Sequence, residues 1–213
     1  RWSAQSRVTE VVASPTGLAV AEQRPLSGPA PSARDGAQAA YSSTERAVYL
    51  VGAEPACRSS NEVWRFSLEV GSWSQLAAEG PSLKQVLSVA YDAPRRRLFV
   101  LDAPPCDGSR CMARLLSIDA TTGTRHVVRA GIATTSDPSM AVLGNGAVVV
   151  ADADGNNAWH AELIDSKGDF RIARGEGMLV DEAIAIANGV TLPVSVDGEA
   201  TFVELPASAF HSR

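Results

Sequence analysis

The chain has 213 residues, 45% of them hydrophobic and 20% charged. That is enough for one sizeable core or two small ones, and it is unlike a disordered or collagen-like composition. A net charge of -5, a pI near 5.2 and scattered Lys and Arg exclude a nucleic-acid partner, which needs a concentrated basic face. No stretch approaches the ~18 apolar residues that cross a bilayer.

The opening "RWSAQSRVTE" has neither Met nor a signal-like apolar core, so it reads as a processed or trimmed piece of something longer. "SRVTEVVA" gives a solitary strand over about 7–13. The long stretch from Ser14 to Gly36, rich in Pro, Gly and Ser, reads as irregular.

From Pro31 a four-part unit begins. "AQAAYS" is a short apolar strand, "SSTER" a polar turn, and "AVYLVG" a second strand that is apolar throughout. After the loop "AEPACRSSN" comes a third strand, "EVWRFSLE", then a tight turn, "VGS", and a fourth strand, "WSQLA". The unit then recurs. Tyr41 falls on Tyr91, Arg34 on Lys84 and Leu50 on Val100, and Val150 lies fifty positions further on. The second strands "RLFVLD" and "AVVVAD", the third strands "MARLLSID" and "AWHAELID", and the fourth strands "TRHVV" and "DFRIA" keep the same order. The basic cluster Arg95-Arg96-Arg97 sits in one of the polar turns and reads as solvated.

A strand with one wet face alternates apolar and polar residues, whereas an unbroken apolar run requires cover on both faces. Without long helices between the strands, that cover must come from neighbouring sheets. Four strands per unit, repeating at this period, is the signature of a β-propeller, in which each blade buries its faces only when the next stacks on it. The expected fold is therefore an all-β propeller of four-stranded antiparallel blades. The blades lie at about 33–79, 84–130, 136–175 and 181–210, in one domain over 1–213. The last unit supplies three strands and runs out near Phe210. Strand 7–13 joining it would close a four-bladed ring. The competing reading is an arc of a larger propeller.

"PSARDGAQAAYSSTERAVYLVGA" and "NEVWRFSLEVGSWSQL" resemble the two halves of the kelch repeat, with Trp73 where that family keeps its tryptophan. The resemblance is good over 31–80, fair over 81–130 and faint afterwards. It departs at the paired glycines that end the second strand, replaced here by Gly52-Ala53, Asp102-Ala103 and Asp152-Ala153. The resemblance implies a binding scaffold more often than an enzyme.

Chemistry is sparse. There is no Gly-x-Ser-x-Gly elbow, no phosphate loop and no dinucleotide turn. His126 reads as a surface residue and His211 as part of a frayed tail. His160-Ala161-Glu162 matches the His-x-Glu of zinc deaminases, but "PCDGSRC" precedes it and encloses four residues instead of two, so that reading fails. "DADGN" offers Asp152, Asp154 and Asn156 as calcium ligands around Gly155, yet position twelve is Leu163 and the same residues suit a plain hairpin turn. No other cofactor is indicated. Trp64, Trp73 and Trp159 fit either a sugar-stacking platform or wedges between blades. The first strands "AQAAYS", "VLSVAY" and "SMAVL" would line the central channel, and their apolar character speaks against central catalysis.

Cys106 and Cys111 enclose "DGSR" and can close a disulfide, which over so short a loop contributes about 2 kcal/mol. That bridge fits an oxidising compartment; the alternative is three free thiols, Cys57 included, in a cytosolic protein. The loops between second and third strands gather on one face of a propeller and make a recognition surface. Glu54, Arg58, Asp107, Arg110 and Asn156 are its candidate contacts. The expectation is a non-catalytic, extracytoplasmic recognition or scaffolding module for a protein or glycan, without membrane insertion. The alternative is an accessory domain of a larger secreted enzyme or toxin, whose remainder would also be a partner.

Overall fold

The computed structural model describes residues 7–14, 17–25, 29–32, 34, 36–52, 61–104, 111–135, 137–153, 158–179, 183–186, 188–196 and 199–211, with backbone alone for 7–14, 17–25, 111 and 178. An antiparallel hairpin, β1 (Arg7–Ser14) and β2 (Gly17–Pro25), comes first. The first four-stranded sheet is β3 (Gln38–Ser42), β4 (Ala47–Val51), β5 (Val63–Ser67) and β6 (Ser72–Gln75). The second is β7 (Gln85–Asp92), β8 (Arg97–Ala103), β9 (Cys111–Asp119) and β10 (Arg125–Thr134). The third is β11 (Ser139–Val142), β12 (Val148–Ala153), β13 (Ala158–Ile164) and β14 (Phe170–Glu176). The last contains β15 (Met178–Leu179), β16 (Ile184–Ile186), β17 (Gly189–Val196) and β18 (Glu199–Pro206). Each of these sheets is an antiparallel blade, and blades 1 to 3 run in simple chain order.

The unbroken apolar runs are covered from both sides, by neighbouring blades. In β8, Leu98 and Val100 enter a cluster with Ala47, Tyr49, Val51 and Val63 of blade 1. Their neighbours Phe99 and Leu101 point the other way, into a cluster with Met140, Val148, Val150 and Ile164 of blade 3. β12 repeats the division: Val149 and Ala151 pack with Val190, Leu192 and Leu205 of blade 4. A strand's side chains alternate between its two faces, so each interior strand feeds two cores. The four sheets thus share three apolar cores among the described residues, one at each junction from blade 1 to blade 4. The first strands β3, β7, β11 and β16 are successive neighbours at the inner rim. This is a propeller-like arrangement.

The turns between first and second strands repeat to the residue. Arg46, Arg96 and Gly146 all adopt the left-handed conformation, with φ of 46°, 51° and 85°. The two arginines bear the steric cost of that conformation, of order 1–2 kcal/mol each. At Gly146 a Cβ would stand 2.6 Å from the Arg95 guanidinium, which donates to the Asn145 carbonyl at 2.7 Å. Arg96 likewise reaches back to Glu45 at 2.5 Å. The turn of blade 2 is therefore tied to the turns on either side of it.

The structure refines the sequence reading at several points. The stretch after Ser14 is not wholly irregular: "GLAVAEQRP" forms β2, whose partner is β1. Strand 7–13, one of the two ways the ring was read as ending, pairs with β2 among the described strands. A local partner three residues away costs far less loop-closure entropy than one at the opposite terminus. In blade 4 the first strand is split, β15 and β16 both lying along one edge of β17, with β18 on the other. The tail is not frayed. His211 exchanges backbone hydrogen bonds with Ile172 at 2.8 and 3.0 Å, and Phe210, 2% exposed, is packed into the core between blades 3 and 4.

Candidate functional site

Antiparallel order places every loop between second and third strands, and every lead-in to a first strand, at the same end of its sheet. One face of the arc therefore collects the strand ends that flank 53–60, 105–110 and 154–157, the loops expected to carry recognition. Glu54, Arg58, Asp107, Arg110, Asp154 and Asn156 lie outside the described residues, as do Cys57 and Cys106; Cys111 opens β9. What the structure does describe is the base from which each loop springs.

At the base of the first loop, Arg34 donates to the Gly52 carbonyl at 3.1 Å and to Glu62 Oε2 at 2.7 Å. Trp64 Nε1 donates to the same oxygen at 2.7 Å. The indole N–H, then the guanidinium, hold the Glu62 carboxyl below its ordinary range. At the second, Asp102 is fully buried and accepts from Arg114 Nε at 2.7 Å and Nη2 at 3.0 Å, and from the Lys84 amide at 2.7 Å. The carboxylate pins the lead-in of β7 to the end of β8, and its hydrogen bonds raise the Arg114 pKa. At the third, Asp152 is equally buried. One of its oxygens accepts Thr134 Oγ1 at 2.8 Å and the Thr135 amide; the other accepts Thr135 Oγ1 at 2.6 Å and the Ala153 amide at 2.7 Å. Each loop thus starts from a cross-braced strand end.

The frames of blades 1 and 2 are also joined. Asn61 Oδ1 accepts from the Leu83 amide at 2.7 Å and from Arg125 Nη1 at 3.0 Å, while Arg125 Nη2 donates to the Asn61 carbonyl. Arg125 is 2% exposed, and burial pushes its pKa down against the opposing pull of Asp102. At the next junction Arg129 lies 3.4 Å from the Phe170 ring centroid and 3.6 Å from Glu162 Oε2, bridging β10 to blade 3.

Several sequence expectations can now be placed. Asp152, a candidate calcium ligand, turns inward and spends both oxygens on four protein donors. No group of three or more His, Cys, Asp or Glu suited to a metal gathers among the described residues. Trp159 is 4% exposed between blades 3 and 4, its ring lying where a Cβ on Gly175 would stand, 2.4 Å away. Trp64 is 7% exposed, and Trp73 packs against Phe66 with centroids 5.1 Å apart. Trp159 is thus a wedge between blades, while Trp64 and Trp73 lie on the face of blade 1 that bears Val48 and Leu50. His126 is exposed on β10, and half-buried His160 has Nε2 3.3 Å from the Ala133 carbonyl. Among the described residues of the inner strands the single carboxylate is Asp92, 1% exposed and held by Arg95 at 3.3 Å and Arg97 at 2.9 Å.

Sequence reasoning used Arg34 only to align the repeats and passed over Asn61, Arg114, Arg125, Thr134 and Thr135. The available signal was the recurrence of Asp102 and Asp152 fifty positions apart, each directly after an apolar second strand.

No protein-family model matches the chain, and no curated protein matches it. Among solved structures it is similar to a protein from Lactobacillus plantarum determined as a structural-genomics target, at 9% identity and a TM-score of 0.46. The match covers 97% of this chain and 63% of that one, so this chain spans less than two thirds of that structure.

Proposed function

We propose that the chain is a non-catalytic recognition module of kelch-like type, working outside the cytoplasm and binding a protein or glycan through the face that carries loops 53–60, 105–110 and 154–157. The observation that carries this reading is the braced base of each loop. Arg34 with Glu62, Asp102 with Arg114, and Asp152 with Thr134 and Thr135 fix the points from which three differently composed loops emerge on one face. A rigid frame bearing variable polar loops is how a scaffold presents contacts at low ordering cost. Glu54, Arg58, Asp107, Arg110 and Asn156 supply the polar contacts in this reading, and a Cys106–Cys111 bridge would stiffen the second loop.

The test compares wild type with the combined variant Glu54→Ala, Arg58→Ala, Asp107→Ala, Arg110→Ala. Both are screened on a glycan array and against immobilised surface proteins of the producing cell. A glycan or protein captured by wild type and held at least tenfold more weakly by the variant, with the circular dichroism of the two unchanged, supports the loop face. Equal capture by both contradicts it. Mass spectrometry with and without reductant addresses the compartment: a two-proton difference between the forms at Cys106 and Cys111 fits export, and free thiols at both contradict it.

A further inference from the structure

Among the described residues, blade 4 is one strand shallower than its neighbours. In blades 1 to 3 the third strand, β5, β9 or β13, lies between a second strand and a fourth. In blade 4, β15 and β16 share one edge of β17, so β18 takes the third place, and β17 is its one described partner. Burial follows the difference. No residue of β5 or β13 is exposed, whereas six of the eight in β18 are, Phe202 at 67%. The path of the chain leaves the fourth place open. Directly after β18 the Ala207 amide donates to the Asn188 carbonyl at 2.9 Å, and the segment runs on to pair His211 with Ile172 on the outer edge of β14. Alternate residues of a strand direct N–H and C=O to opposite edges, so the outer edge of β18 presents a row of backbone donors and acceptors.

The other outer strands are blunted, and this one is not. β6 has only four residues, β10 breaks register at two places, and β14 is bridged by His211. β18 pairs with β17 over all eight residues without a break in register, and its proline, Pro206, stands at the very end. A long, regular edge without guards is a template for strand addition. Its side chains define what can be added. Glu199 and Glu204 are exposed, and β18 has no Lys or Arg to offset them, so like charge works against a second β18. The two longest fourth strands of the molecule show the composition this place takes. Arg125 and Arg129 stand among valines in β10, and Arg171 and Arg174 flank Ile172 in β14.

We infer that the outer edge of β18 receives an extended segment of a partner protein as the fourth strand of blade 4, a segment that mixes Arg or Lys with Val or Ile. Backbone pairing supplies the affinity, Glu199 and Glu204 select the basic residues, and the apolar ones cover Phe202 and half-buried Val203. The inference stands apart from the loop-face function, because it uses a strand edge at the rim and none of the three loops.

Fluorescence anisotropy of the labelled peptide RVVRVVRV, titrated with the wild-type chain, is expected to rise to saturation. The same peptide methylated on alternate backbone nitrogens keeps its charge and loses donors, and is expected to bind at least tenfold more weakly. In the chain, Glu199→Lys with Glu204→Lys changes exposed side chains and leaves the circular dichroism as in wild type. It is expected to weaken RVVRVVRV at least tenfold and to bind the peptide EVVEVVEV in its place. Glu69→Lys with Glu79→Lys reverses two equally exposed carboxylates on and beside blade 1, and is expected to keep wild-type binding. Equal binding of the methylated and unmethylated peptides, or equal loss in both charge-reversed chains, overturns edge pairing in favour of charge attraction alone. No binding by wild type overturns the inference and leaves the edge to a segment of this chain or to a second copy.

Discussion

Asp102 and Asp152 occupy the same station in successive blades, and they are satisfied by different chemistry. Both follow an apolar second strand, both are fully buried, and both pin the lead-in of their own blade's first strand. Asp102 does it with a two-pronged ion pair to Arg114 plus one amide; Asp152 does it with two threonine hydroxyls and two amides. Blade 1 reverses the roles, Arg34 donating to the Gly52 carbonyl. What repeats is the need to tie two chain ends together, while the residue that meets it is free to change.

Substitution at the two stations breaks the comparison in different ways. Asp102→Asn keeps the shape but sets an NH2 against Arg114 Nε and leaves a half-buried cation unneutralised, so a loss of about 3–5 kcal/mol is expected in urea unfolding. Changing both partners, Asp102→Asn with Arg114→Met, is expected to recover more than half of that loss, because no charge is then stranded. Recovery of nothing would show that the aspartate acts through the Lys84 amide alone.

Asp152→Asn is expected to cost less, about 1–3 kcal/mol, since one backbone N–H loses its acceptor while the threonine hydroxyls rotate to suit the amide. A cost equal to that at Asp102 would contradict the distinction between an ionic and a neutral station.

Blade 1 adds a pH dependence. The Glu62 carboxyl is held below its ordinary value of 4.5 by Trp64 and then by Arg34. Its contribution is therefore complete above the unfolded value and lost as pH falls through the lower folded one. Acid titration of stability is expected to flatten in Glu62→Gln below pH 4.5, and an unchanged acid limb would contradict the assignment. The smallest effect is expected at Arg96, whose side chain is 61% exposed: Arg96→Ala should leave the urea midpoint within error although it cuts the Glu45 pair.

The architecture was legible because burial on two faces leaves a mark that spacing cannot hide. "RLFVLD" and "AVVVAD" have no wet side, and the fifty-residue recurrence placed all four strands of blades 1 to 3. β2 was hidden because Pro, Gly and Ser flank its alternating core, and composition outvoted period. The split of the first strand in blade 4 has no sequence mark, since "MLVDEAIAI" reads as one apolar run with an acidic interruption. At the site, Asp152 was read as a possible metal ligand because side-chain direction is invisible in a string. Its neighbours, two threonines seventeen and eighteen positions earlier, are joined to it only by the fold. Arg114 was equally hidden, as its partner lies across a strand pair.

The claim on which the rest stands is that neighbouring residues of one strand face different sheets. Nuclear Overhauser contacts from Leu98 and Phe99 in β8 test it directly. Leu98 methyls are expected to see side chains of blade 1, such as Tyr49, and the Phe99 ring to see those of blade 3, such as Val148. Contacts from both residues to one and the same sheet would contradict radial stacking.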